Sequence, residues 1–474
     1  MATRTDRLLL ANALIGNFLG GLGARIFSIS LPTIANALNA DILGISWAII
    51  SYQLASISLS VVFGRLGDIY GRHKIYGAGF VFMTAFSLLC GVSTTISQLI
   101  LFRFLQGFGA AMASSAARVM AMEAMPEGSE GKANGFMTIA FHGGLLVGPP
   151  VGGVIIDYVS WRWIFFLLVP FGVAGMVLTV MRLKQPTPAG RRQHSVDYIG
   201  AALLIVVTVI LTLTLDRRAA ELVGAGRQSV LALLLLATLA GFVAQELHAA
   251  DPIVNFALFR IRMFSFSTLS LFVISLGYSI LLLLMPFYLQ EVLHLSPSIL
   301  GVIFLASPIL TISLASMSGY LTDRIGPRVP ASIGVAMMLA AFVIGTVLRV
   351  DSHWALPTFL MALLGLGSGF FNTPNQTAII GSVPREYRGF ATGMIQTMFG
   401  LGQLLGISLG GALLTVAFQY YSGIPGASPD PANRLAFVSS MNATYVVCAA
   451  MTLVALFASL LRGGAKIEAA RSTM

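Results

Sequence analysis

The stretch GRLGDIYGRHK, residues 64–74, decides the fold because the chain carries its pattern twice. Gly64-x-x-x-Asp68-x-x-Gly71-Arg72 returns 255 residues later as Gly319-x-x-x-Asp323-x-x-Gly326-x-Arg328. LQGFGA (105–110) returns as LLGLGS (363–368), with Gly107 and Gly109 matched by Gly365 and Gly367 at a spacing of 258. The row Gly144, Gly148, Gly152 returns as Gly402, Gly406, Gly410, again at 258. In a chain with 49 glycines a single match decides nothing. Three matches, in the same order and at nearly one spacing, predict an internal duplication.

Composition fixes the solvent of the duplicated unit. The 474 residues are 57% hydrophobic and 10% charged, with a mean hydropathy of +0.87. Soluble domains carry about 25% charged residues, so the chain reads as a membrane protein. Fourteen runs are apolar enough to cross: 9–37, 45–63, 75–93, 99–121, 133–156, 162–182, 197–215, 228–246, 265–289, 297–318, 330–348, 356–380, 390–418 and 436–461. Of the connections between them, one set holds nineteen basic residues and the other only Arg162, Arg217, Arg218, Arg227, Arg349 and Arg434. That bias places both termini in the cytoplasm. The same distribution explains the net charge of +10 without nucleic acid as a partner. Cys90 and Cys448 lie inside apolar runs and read as core residues. The apolar run after MATRTDR lacks a small-residue cleavage site and is read as a retained span.

The expected fold is therefore all-α and polytopic. Two pseudo-symmetric six-helix bundles, 1–182 and 263–474, flank an extra helix pair within 183–262. Internal repeats with a site at their interface are the mark of secondary transporters, which work by alternating access.

The motifs have physical readings of their own. Gly64 and Gly71 permit tight turns and close approach. Asp68 and Arg72 carry opposite charges four residues apart, and can cap a neighbouring helix or pair as a cytoplasmic latch; Asp323 and Arg324 are the expected gate residues of the second half. In the fifth span Gly135, Gly144, Gly148, Pro149, Gly152 and Gly153 form G-x8-G-x3-G-P-x2-G-G. The glycine row admits a second helix at close range, and Pro149 removes a backbone donor and invites a kink.

Taken together, these motifs resemble those of the major facilitator superfamily, in its fourteen-span drug:proton antiporter branch. GRLGDIYGRHK resembles the family's cytoplasmic loop motif, RFLQGFGAA (103–111) its fourth-helix Arg-x-x-Gln-Gly motif, and the fifth-helix pattern its antiporter motif. WRWIFFLLVP (161–170) and GYLTDRIGPR (319–328) are also similar to the branch. The resemblance covers essentially the whole chain. It implies a rocker-switch exporter with the fifth helix at the inter-bundle interface, Arg103 linked to proton coupling, and Asp68 and Arg72 in the cytoplasmic gate.

The first helix departs from that pattern. Where the branch carries an aspartate, this chain has Gly23, with Arg25 two residues on. No other acid lies deep in the fourteen runs, Glu123 being at a cytoplasmic end. Intramembrane carboxylates attract cations and carry protons, whereas arginine stays protonated and grips carboxylates, phosphates or sulfates through paired hydrogen bonds. Asn17, Gly21, Arg25, Ser28 and Pro32 share one helical stripe, which is expected to face a cavity. Arg118 on the fourth helix, opposite the equivalent Gln376, adds charge nearer the cytoplasmic mouth. Structural readings stand beside these: Arg25 can pair with helix-end carbonyls or snorkel to the interface, and Arg103 can be a helix–helix hydrogen bond. His142, mid-span in the fifth run, reads either as a proton carrier, a role suited to the imidazole side chain, or as a helix contact. Tyr52, Gln53, Tyr278, Asn372, Asn375, Gln376, Gln396 and Gln403 are expected cavity-lining residues by position.

The sequence thus predicts a transporter and no enzyme: it has no nucleotide loop, metal-ligand cluster or hydrolase triad, and implies no cofactor. The expected activity is export of a small anionic or zwitterionic organic substrate across a bacterial-type inner membrane, by a monomer in the lipid bilayer. A proton-coupled multidrug antiporter is the alternative, and a non-transporting sensor or lipid-handling protein on the same fold is a third.

Overall fold

A chain in lipid has to satisfy its backbone internally, and helices do so within one segment. In the computed structural model, which describes residues 4–125, 130–181, 198–215, 225–248, 256–384 and 387–463, each of the fourteen apolar runs falls on helix. The helices are α1 (Arg4–Ala37), α2 (Ile42–Tyr70), α3 (Arg72–Gly91), α4 (Ile96–Glu123), α5 (Glu130–Tyr158), α6 (Trp163–Phe166), α7 (Leu168–Val180), α8 (Tyr198–Leu215) and α9 (Ala225–His248). They continue with α10 (Arg262–Phe287), α11 (Pro297–Ile325), α12 (Arg328–Gly345), α13 (Ala355–Gly381), α14 (Arg388–Ser422) and α15 (Arg434–Leu461). The sixth run is carried by α6 and α7, joined at Leu167, which keeps helical φ −57 and ψ −32.

Among the described residues, thirteen spans, and not the expected fourteen, are long and apolar enough to cross a membrane. The seventh run, on helix α8, is not among the thirteen. The chain divides into two compact units, Met1–Ile253 with Ser296–Gly301, and Val254–Leu295 with Val302–Met474. In the first unit α1 packs on α5, and α4 packs on α2 and α3. Helix α8 packs on α9 and α2. In the second, α10 packs on α14 and α15, and α13 on α12.

The duplication is visible in the helix contacts themselves. A methyl at Gly144 on α5 would overlap the Phe18 carbonyl and lie 2.6 Å from Leu22 N of α1. A methyl at Gly402 on α14 would lie 2.7 Å from Phe272 O and 3.4 Å from Leu276 N of α10. The fifth helix has moved by 258 residues and the first by 254. Likewise Gly107 meets Tyr52 O at 2.5 Å where Gly365 meets Ser307 O at 2.5 Å, so the second helices are related by 255. Gly79 meets Gly109 O at 2.9 Å where Gly334 meets Gly367 O at 2.6 Å, so the third helices also differ by 255.

The step from 254 to 255 has a location. Helix α1 closes with Ala40 N donating to Ala35 O at 2.8 Å, beside Asn39 at φ 50. The second unit closes α10 with Leu295 N donating to Leu289 O at 2.9 Å, beside His294 at φ 54. The same closing bond spans one residue more. A π-helical turn, Tyr288–Val292, takes up that residue, as its wider hydrogen-bond spacing allows. It extends the span to Val292 and so brings Glu291 inside it, where the sequence placed no acid.

The segment between the apolar runs 45–63 and 75–93 is helical for most of its length and not a plain connection. Residues 64–70 continue α2, and the chain breaks only at Gly71, whose φ of 100 excludes a side chain without strain. Gly71 N donates to Gly67 O at 2.9 Å, and its counterpart Gly326, at φ 80, donates to Thr322 O at 2.9 Å. Each copy is a helix C-cap.

Gly135 and Gly144 share one motif but not one environment, since nothing lies within 4 Å of a methyl at Gly135. Gly144→Val and Gly402→Val are expected to lose about 3 kcal/mol or more through overpacking. Gly135→Ala is expected to gain up to about 1 kcal/mol from helix propensity. Thermal unfolding in detergent measures all three; equal effects at positions 135 and 144 would refute the contact assignment.

Candidate functional site

Arg25 sits on the seam between α1 and α5. It is 7% exposed, and a methyl at Gly148 would stand 3.0 Å from its Cβ. Asn17, two turns earlier, donates its Nδ2 to Met137 O of α5 at 2.6 Å. Gly21, between them, lets the Phe141 carbonyl of α5 in against α1. The backbone of the stripe Asn17–Gly21–Arg25 therefore lies along α5. Ser28, on the same stripe, is buried. The glycine row is the reason: Gly144, Gly148 and Gly152 have no side chains to hold α1 away. Gly153, one residue on, points elsewhere and meets Pro297 O and Ser298 Cα, in the segment that belongs to the same unit. Asp157 Oδ2 accepts from Ser298 N there at 2.8 Å. Pro149 and Pro150 both lie within the helix.

The internal duplicate shows what is special about this seam. Gly406 on α14 meets Ser279 and Leu276 O as Gly148 meets Arg25 and Leu22 O. Ser279 occupies the Arg25 position and bonds its own helix, donating to Ser275 O at 2.9 Å and Leu276 O at 3.0 Å. Where one seam holds a small hydroxyl, the other holds a guanidinium.

Arg103, on α4, packs against a different face of α1. Its Nε donates to Ala48 O at 3.2 Å and its Nη1 to Gln106 Oε1 at 2.9 Å. Gln106 Nε2 donates onward to Ser87 Oγ at 2.6 Å. The guanidinium lies over Phe27 at 4.2 Å and over Tyr52 at 4.3 Å, both within cation–π range. Arg103, 4% exposed, thus fastens α4 to α1, α2 and α3. At the matching positions of the second unit stand Met361, Leu364, Phe342 and Leu281, all buried. The Tyr52 position is taken by the buried Ser307, and the other four positions close with apolar side chains. The sequence flagged Arg103 and the adjoining Gln106, and Tyr52 only as a cavity-lining residue, but missed Phe27 and Ser87; the helix crossing brings them together.

His142 is half-buried, and its Nδ1 meets Thr138 O at 2.9 Å. A carbonyl accepts, so Nδ1 carries the proton and Nε2 is the acceptor of the neutral ring. In the second unit Asn372 and Thr373 are half-buried and Gln376 and Thr377 exposed, a polar stripe along α13. Ser114 and Ser115 match Asn372 and Thr373 on α4; the side chain of Arg118, which matches Gln376, lies outside the described residues, as does that of Asp68. Asn375 faces away from the stripe and is fully buried. Gln53, Tyr278 and Gln403 are half-buried and Gln396 exposed. Among the gate residues Asp323 and Arg324 are exposed, with the Arg324 guanidinium 4.4 Å over the Tyr320 ring. The Arg72 stem lies 3.5 Å from where a methyl at Gly67 would be. Among the described residues there is no group of His, Cys, Asp and Glu able to hold a metal.

Known proteins share this architecture. The bacterial homolog of the human lysosomal transporter Spinster, solved inward-facing and unoccupied, superposes with a TM-score of 0.69 at 13% identity, covering 97% of this chain and 98% of that one. The nucleoside transporter NupG superposes at 0.64 with 14% identity, over 97% and 100%. In sequence, the riboflavin transporter RibZ of Clostridioides difficile is 26% identical over 93% of this chain and 94% of its own length. The multidrug transporter protein MdtP of Bacillus subtilis is 28% identical over 86% and 75%. The Major Facilitator Superfamily profile matches residues 13–269 and again 267–472. The two matches together run through both halves of the duplication, and the chain belongs to the Major Facilitator Superfamily, as a secondary transporter and not an enzyme.

Proposed function

We propose that the protein exports a small anionic or zwitterionic organic molecule by alternating access, with Arg25 as the group that recognises its negative charge. The observation that carries this reading is the asymmetry of the two glycine seams, with Arg25 in one and Ser279 in the other. A guanidinium is a costly residue to keep inside a bundle. The duplicate closes the same seam with a serine, so packing alone does not require it. An inside-negative potential favours anion exit by about 2.3 kcal/mol per charge per 100 mV, so such export needs less proton coupling than cation export does. In this reading the chain spans the membrane fourteen times as a monomer, with α8 as a span and both termini in the cytoplasm.

A second reading, proton-coupled multidrug efflux, draws on the relatives named as multidrug transporters and on His142, whose Nε2 is positioned to take a proton. No site residue distinguishes a sensor without turnover.

Reconstitution in liposomes with fluorescein as anionic probe and ethidium as cationic probe separates the readings, with pH and voltage imposed independently. Arg25→Ser copies the duplicate and is expected to fold. It should lower fluorescein transport at least about tenfold, the loss of one charge-assisted hydrogen bond, and leave ethidium unchanged. A preference for ethidium that survives Arg25→Ser would sink the anion reading. His142→Gln is expected to leave voltage-driven fluorescein efflux intact; abolition of the pH dependence of ethidium efflux by the same change would support the second reading. A phosphatase fused after Met474 should be inactive in whole cells, and activity there would contradict the topology.

A further inference from the structure

Arg462 follows the last turn of α15 and is only 1% exposed. It follows the last apolar run, 436–461, and is one of the nineteen basic residues in the connections that the charge bias assigns to the cytoplasm. The structure buries it in a chain of neutral groups that crosses four helices. Its Nε donates to Ser459 O at 3.0 Å and its Nη1 to Asn375 Oδ1 of α13 at 3.1 Å. Its Nη2 donates to Ser459 Oγ, which lies 2.8 Å from Ser332 Oγ of α12. Because Asn375 Oδ1 accepts from Arg462, its amide nitrogen is turned the other way and donates to Ser267 O of α10 at 3.1 Å. Burial pushes the Arg462 guanidinium down to about 10, which leaves it charged at neutral pH.

A buried guanidinium whose bonded partners among the described residues are all neutral is expensive, and helix capping alone would not call for the reach to α13. Asn375 has a matching place on α4, Ala117, which is buried and makes no such bond. Asn375 is also the inward-facing member of the segment that carries Asn372, Thr373, Gln376 and Thr377 on its other side. Fixing its amide from two directions fixes the rotation of α13 about its own axis.

We propose that Arg462 is a positioning residue for α13: through Asn375 it sets the direction in which the polar stripe Asn372–Thr377 is presented. The inference rests on reading that stripe as part of the transport pathway, and its test uses no turnover, so the two can fail separately. The planar fork reaches Asn375 and Ser459 together, which a lysine ammonium on a flexible stem does not reproduce.

The test is the rate at which a methanethiosulfonate reagent modifies a cysteine placed at the exposed Thr377, with Ser114→Cys on α4 as the control. The native Cys90 and Cys448 are buried and give a low background. Arg462→Met and Arg462→Lys are each expected to change the rate at position 377 by about fivefold or more and leave position 114 within twofold. Asn375→Ala should produce the same change, and the double variant Arg462→Met/Asn375→Ala no further one, because the two act as one unit. Should Arg462→Met fail to give monodisperse protein, Arg462→Lys and Asn375→Ala carry the test. An unchanged rate at position 377 in either folded single variant, or additive effects in the double variant, would overturn the proposal.

Discussion

The structure depends on backbone touching backbone. On the α1–α5 and α10–α14 seams, glycines four residues apart let one helix rest on the carbonyls and amides of the other. In water such a contact would be one among many. In lipid no hydrophobic force draws helices together, and dispersion at close range is most of what remains. The rows at 144–152 and 402–410 therefore set where the first helix of each unit lies, and every side chain on it inherits its direction. Arg25 is buried against α5 because the row opposite leaves room for its stem, and Ser279 is placed by the same rule.

Against this shared frame the two units spend charge differently. In the first, Arg103 ties α4 to three helices through two aromatic faces and a glutamine. In the second, the same heights are filled by Met361, Leu364 and Phe342, and the guanidinium comes from the far end, Arg462 reaching α13 from α15. A buried guanidinium thus holds the fourth helix in both units, supplied by different residues and at different points along it. A duplication preserves backbone contacts more strictly than polar ones, because a glycine row admits few substitutes whereas a buried polar cluster can be exchanged whole for an apolar one of similar volume.

The sequence made the frame legible and the networks only in part. Fourteen apolar runs and the repeated glycines suffice for helices, duplication and family, since each depends on short-range pattern. The contact of the Asn17–Arg25 backbone with α5 was not legible from polarity, which is the same signal whether a face meets water or a neighbouring helix; the contacts of Gly144 and Gly148 place it. Arg462 was misplaced for a related reason, since a base at a span end looks alike whether it anchors to headgroups or turns inward. Glu291 escaped notice because a π turn carries a helix on past the point where its apolar run stops.

That turn also limits how the halves can be recombined. Before Leu289 the second unit runs 254 residues ahead of the first, and from Leu295 onward 255. One residue of helix is about 100° of rotation. A chimera that exchanges first helices and joins them ahead of the bulge would therefore turn the next residues by that angle, moving apolar faces off their partners. Joined after Asn39 or His294, where both chains pass through a left-handed residue, each first helix brings its own ending with it, and the five helices that follow keep their register.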